Sequence, residues 1–91
     1  MAEEKTVREL LFNWLDTVMA DKVMFSAVID SKLASAAGLE FRNIDNFLKI
    51  LRDAAKELKS AELSTGRVSN ILIEKNKGLW KIIVFKEKHT T

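Results

Sequence analysis

The sequence predicts an α+β fold in which three helices precede a β-hairpin. Two observations carry that expectation. Apolar residues recur at helical spacing from Val7 to Leu58, and beyond residue 69 the apolar period shortens to that of a strand. A turn sequence, Lys75-Asn76-Lys77-Gly78, then divides two runs rich in Ile, Val, Leu, Trp and Phe.

The first helix is expected over 6–20. Thr6 and Glu9 form an S/T-x-x-E capping box, in which each side chain satisfies a backbone N–H at the helix start. Val7, Leu10, Leu11, Trp14, Leu15, Val18 and Met19 follow on one face, with Phe12 off that stripe as either a dimer contact or a chance surface aromatic. Residues 21–25 lean toward β structure and read as a connector or a three-residue strand. Ser26 is taken as the N-cap of a second helix over 26–37, with Ile29, Leu33 and Ala36 or Ala37 inward and Gly38 as its stop. The third helix is expected over 41–58, with Phe41, Ile44, Phe47, Leu48, Leu51, Ala55 and Leu58 inward. Residues 59–69 read as a polar loop, and 70–86 as the hairpin. The tail from Glu87, including the lone His89, is expected to fray.

Composition narrows the possible chemistry. The 91 residues suffice for one compact domain spanning 1–91 and not for two. With no cysteine, disulfides, thiolate nucleophiles and cysteine–zinc sites are excluded, and a single histidine leaves no favoured ligand set for a transition metal. Three glycines, at 38, 66 and 78, are too scattered to cradle a phosphate, and no nucleophile elbow is present. The sequence therefore points away from an enzyme and implies no cofactor, metal or small-molecule ligand. No apolar run approaches the roughly 20 residues of a membrane span, and the acidic N-terminus does not read as a secretory signal. An intracellular, cytoplasmic or nucleoid-associated protein is expected. Charge is unevenly spread: residues 1–58 carry 8 basic and 10 acidic groups, residues 59–91 carry 7 and 3.

Residues 31–48 hold the most informative spacing. Leu33-Ala34, three residues, Gly38, and then apolar Ile44 and Phe47 supply what two helices crossing through a tight turn require. A small residue allows close approach, glycine permits a left-handed turn, and two apolar residues anchor the second helix. This spacing resembles the helix-turn-helix pattern. With the hairpin behind it, almost the whole chain resembles the winged helix-turn-helix superfamily of DNA-binding proteins. Two features depart from the usual pattern: a third helix near 18 residues, and a long loop before the hairpin.

The resemblance implies a double-stranded DNA-binding protein, a transcriptional regulator with helix 41–58 in the major groove and the 75–78 wing on the backbone or minor groove. Arg42, Asn43 and Asn46 are then the candidates for base edges, since arginine pairs with guanine and asparagine with adenine in bidentate fashion. Lys49, Arg52 and Lys56 would meet phosphate. Lys75, Asn76 and Lys77 fit the wing contact, with Arg67 and Lys81 extending the positive patch. A homodimer is expected, because one small module offers limited contact area. Plainer readings stand beside these. From Glu40 to Leu58 there are four basic and four acidic residues, as on any solvated helix face. The lysines at the turn also suit a hairpin tip kept polar for solubility. The main alternative is a protein–protein interaction module on the same fold without nucleic-acid binding, and a third is a small α+β domain with no helix-turn-helix at all.

Overall fold

Each helix begins where a polar side chain closes its first turn. The computed structural model describes residues 6–88, and His89 lies outside them. Thr6 caps α1 (Val7–Val18), accepting from the Glu9 amide at 3.1 Å. Asp30 caps α2 (Ser31–Ala37) through Leu33 N at 3.0 Å, and Asn43 caps α3 (Ile44–Leu58) through Asn46 N at 2.8 Å. Gly38 ends α2 with φ 76°, a left-handed conformation in which any side chain is strained. Ala34 and Phe47 are buried on either side of the resulting turn.

Two expected boundaries are corrected. Ser26 does not cap α2. It lies within strand β1 (Met24–Val28), where Ser26 pairs with Ile83 and Val28 with Lys81. The third helix starts at Ile44 rather than Phe41, because the Asn43 side chain takes up the free amide there. Arg42 and Asn43 consequently sit in the turn, and Ala54 rather than Ala55 faces inward.

The strands are not a simple C-terminal hairpin. β2 (Glu62–Leu63), β3 (Gly66–Asn76) and β4 (Leu79–Lys88) join β1 in one antiparallel sheet of order β1-β4-β3-β2. β3 and β4 pair from Asn76↔Leu79 back to Gly66↔Lys88, with a bulge between Val68 and Asn70. The bulge inserts Ser69, so the inward residues change parity from Gly66 and Val68 to Ile71, Ile73 and Lys75. Lys77 (φ 53°) and Gly78 (φ 79°) form the two-residue turn between these strands.

All three helices lie on one side of this sheet. Their core joins Leu11, Leu15 and Met19 of α1 and its end, Leu33 and Ala37 of α2, and Phe47, Leu48, Leu51 and Leu58 of α3 to Val68, Ile82 and Val84 of the sheet. The apolar stripe of α1 is thus spent on the core, and Phe12 packs partly against it. The ammonium of Lys86, 5% exposed, donates to the Met19 carbonyl at the end of α1 and to Thr65 Oγ1 at 2.6 Å. Asp16 of α1 accepts from Ser64 N at 2.8 Å and from its hydroxyl at 2.6 Å, which holds the carboxyl below its ordinary pKa.

Candidate nucleic-acid interface

Helical spacing sorts the polar residues of α3 into two stripes. Lys49, Arg52 and Lys56, continued by Lys59 at the C-cap, recur at intervals of three and four and so share one side of the helix. They line an open groove of about 460 Å³ against Ile71 and Ile73 of β3. Asn46, Ile50, Asp53 and Glu57 recur in the same way on the side nearer α1. There Glu57 pairs with Arg8 at 3.8 Å, and Ile50, Asp53 and Glu57 border a second groove with Thr6 and Val7. Asp53 borders both grooves, and Asp45 begins the basic side within the first turn of the helix. The bases of α3 therefore share one side, with Asp45 and Asp53 as the acids at its margins.

Trp80 joins this basic side to the hairpin. Its half-buried ring packs against the core, with the Arg52 guanidinium 5.4 Å from its centroid on the α3 side. The Lys75 ammonium, on the strand residue paired with Trp80, lies 5.9 Å from the same centroid. An indole face attracts cations and holds these two within reach of one another. Lys49, Arg52, Lys56, Lys59 and Lys75 thus form one cationic band, with Asn76 and Lys77 exposed at the end of the hairpin.

Not every residue singled out in the sequence joins this band. Arg42 pairs with Glu40 in the turn before α3, Nε to Oε1 at 3.2 Å. The Asn43 side-chain oxygen is engaged as a helix cap. Asn46, exposed on the first turn of α3, stands on the α1 side. Arg67 lies at the far end of β3 from the turn and pairs with Glu62 at 2.7 Å. Lys81 projects from the opposite side of the sheet, beside its register partner Glu74. Lys59 is the cation the sequence reading passed over, and the 49-52-56-59 spacing was the signal for it.

Among the described residues, no group of three or more His, Asp or Glu side chains is placed to hold a metal ion, and no helix is long and apolar enough to cross a membrane. No protein-family model matches the chain, and comparison with curated proteins and with solved structures gives no match either.

Proposed function

We propose that this chain binds double-stranded DNA as a winged-helix protein, with α3 in the major groove and the β3–β4 turn against the neighbouring backbone, in the role of a transcriptional regulator. The observation that carries this reading is the cationic band across α3, Trp80 and Lys75. It presents five positive side chains to one side of the molecule. DNA affinity comes largely from phosphate neutralisation, which such a band supplies. The buried Ala34 and Phe47 around the left-handed Gly38 support the helix-turn-helix resemblance. With Arg42 and Asn43 in the turn and Asn46 on the α1 side, Lys49 on the second turn of α3 becomes the main candidate for a base edge. Arg52, Lys56, Lys75 and Lys77 serve phosphates.

The test is a fluorescence-anisotropy titration of duplex DNA against salt. Engagement of about five cations gives a slope of log affinity against log salt of roughly −4 to −5. Arg52→Ala should weaken binding about 3- to 10-fold and make the slope less steep by about 1. No binding at low salt, or a flat salt response, removes the reading. One observation favours a protein partner instead: a groove of about 450 Å³ where Phe12 meets Arg8, Glu9, Asn13 and Glu57. That alternative predicts no retention of DNA.

A further inference from the structure

The sheet has a second face, and about half of its side chains are apolar. Along β1, β4 and β3 six apolar side chains point away from the helices, Met24, Val28, Leu72, Leu79, Ile83 and Phe85, with Ser26, Asn70, Glu74, Asn76 and Lys81 among them. None of the six belongs to the hydrophobic core or packs against it. Met24 and Leu79 are about half exposed, at 52% and 50%. Antiparallel sheets often leave one face to water, but such a face is ordinarily polar. A contiguous apolar patch is instead a mark of an interaction surface.

Its charges indicate the occupant. Glu74 and Lys81 are register partners on this face, at the same level of adjacent strands. One acid beside one base leaves no net charge there to attract nucleic acid. Consider a two-fold axis parallel to the strands, midway between β3 and β4. Rotation about it lays each outward residue over the register partner of that residue in the other copy. Glu74 then faces the partner's Lys81, Lys81 faces the partner's Glu74, and Leu72 faces the partner's Ile83. At its centre the face is complementary to itself under this operation, as an isologous interface must be, while Phe85 and Leu79 lie over the partner's Asn70 and Asn76 toward the two ends.

We infer that two copies of this chain pair through the outer face of β3 and β4 about such an axis, with Met24 and Val28 of β1 at the rim. The pairing goes beyond the DNA reading and does not depend on it. It does bear on it, because the axis leaves both hairpin turns at the same end. Sheets stack about 10 Å apart, and α3 lies one layer further out on each side, so about 30 Å separates the two copies of α3. That is near the roughly 34 Å spacing of successive major grooves on one side of a duplex. The overlap, two strands wide and about 20 Å long, is small beside a standard interface, so association without DNA is weak and concentration-dependent.

The experiment is sedimentation equilibrium without DNA, at protein concentrations up to about 0.5 mM. The parent chain should reach twice the monomer mass. Glu74→Lys and Lys81→Glu, each checked for native fold by circular dichroism, should each stay monomeric, because like charges now oppose across the axis. Mixed in equal amounts they should dimerise with one another. The lysine pair of one copy then faces the glutamate pair of the other, while the repulsion inside each chain is untouched. A parent chain that is monomeric throughout overturns the proposal, whether the face is bare or serves another protein. So does a dimer indifferent to both substitutions, as association through α1 or the edge of β1 would be, or a mixture that fails to associate.

Discussion

The root of the β3–β4 hairpin is held by α1, β2 and a bulge, whereas its end, Glu74 to Leu79, is exposed throughout. At the root, the Lys86 ammonium joins the end of α1 to Thr65, and Asp16 of α1 grips the amide and hydroxyl of Ser64. At the tip, charged and polar side chains surround a two-residue turn and bury almost nothing. The same two strands therefore perform two tasks. The root fixes the direction of the hairpin relative to α3, and the tip carries charge outward from that fixed base. On this division, substitutions at the root change stability and leave binding alone, and substitutions at the tip do the reverse.

The largest effect is expected at Gly66. A Cβ there would meet the backbone carbonyl of Glu87 and the side chain of Lys86. Neither can yield cheaply, since one is the backbone of the paired strand and the other is pinned by two hydrogen bonds. Gly66→Ala should cost about 2–3 kcal/mol, as overpacking does in a closed site. Thermal unfolding should shift down by about 10–20 °C. DNA affinity measured well below that transition should not change. An unchanged melting temperature would show the root to be looser than its geometry.

A smaller, pH-dependent effect is expected at Asp16. Its two hydrogen bonds from Ser64 lower the folded pKa below the ordinary value of 3.8. The unfolded chain then takes up the proton first. The contribution to stability is complete above that value and disappears as pH falls through it toward the folded pKa. Urea unfolding followed from pH 6 down to pH 2.5 should show a shallower acid loss for Asp16→Asn than for the parent. Equal slopes would mean that the Ser64 contact does not favour the charged carboxyl.

The same contrast between local and distant pairing decides what could be read from the chain. The three helices were legible because their signals are local: a capping pair at Thr6 and Glu9, apolar residues three and four apart, and a glycine stop at 38. β1 was legible only at its start, in the β-leaning 21–25, because its partner, β4, lies more than fifty residues away in sequence, and Ser26-Ala27-Val28 carries no periodic signal of its own. The start of β3 was hidden by Ser69, since a bulge breaks the alternation by which a strand is recognised. β2, two residues long, has no pattern to show. At the candidate site, the lysines of the hairpin and of α3 were visible as residues, but their grouping was not. Counting charges along α3 adds its two sides together, and only helical spacing combined with the position of the sheet separates them. Trp80 was legible as a packing residue, and its role in drawing Arg52 toward Lys75 depends on the Lys75↔Trp80 register.

The smallest effect on stability, and the sharpest test of the division, lies at the tip. Lys75 is exposed, and beyond its paired backbone its contact is the distant face of Trp80. Lys75→Ala should therefore change stability by no more than about 0.5 kcal/mol. Lys77 occupies a left-handed backbone position that asparagine accepts more readily. Lys77→Asn should stabilise the fold slightly, by a few tenths of a kcal/mol, while removing one cation. On the DNA reading each change lowers affinity for every duplex sequence about 3-fold and reduces the magnitude of the salt slope by about 1. The Lys77 substitution is the more telling because its two effects run in opposite directions: a weaker binder that melts later cannot owe its lost affinity to a damaged fold. Tighter or unaltered binding by Lys77→Asn would remove the tip from the DNA contact and leave the band on α3 to act alone.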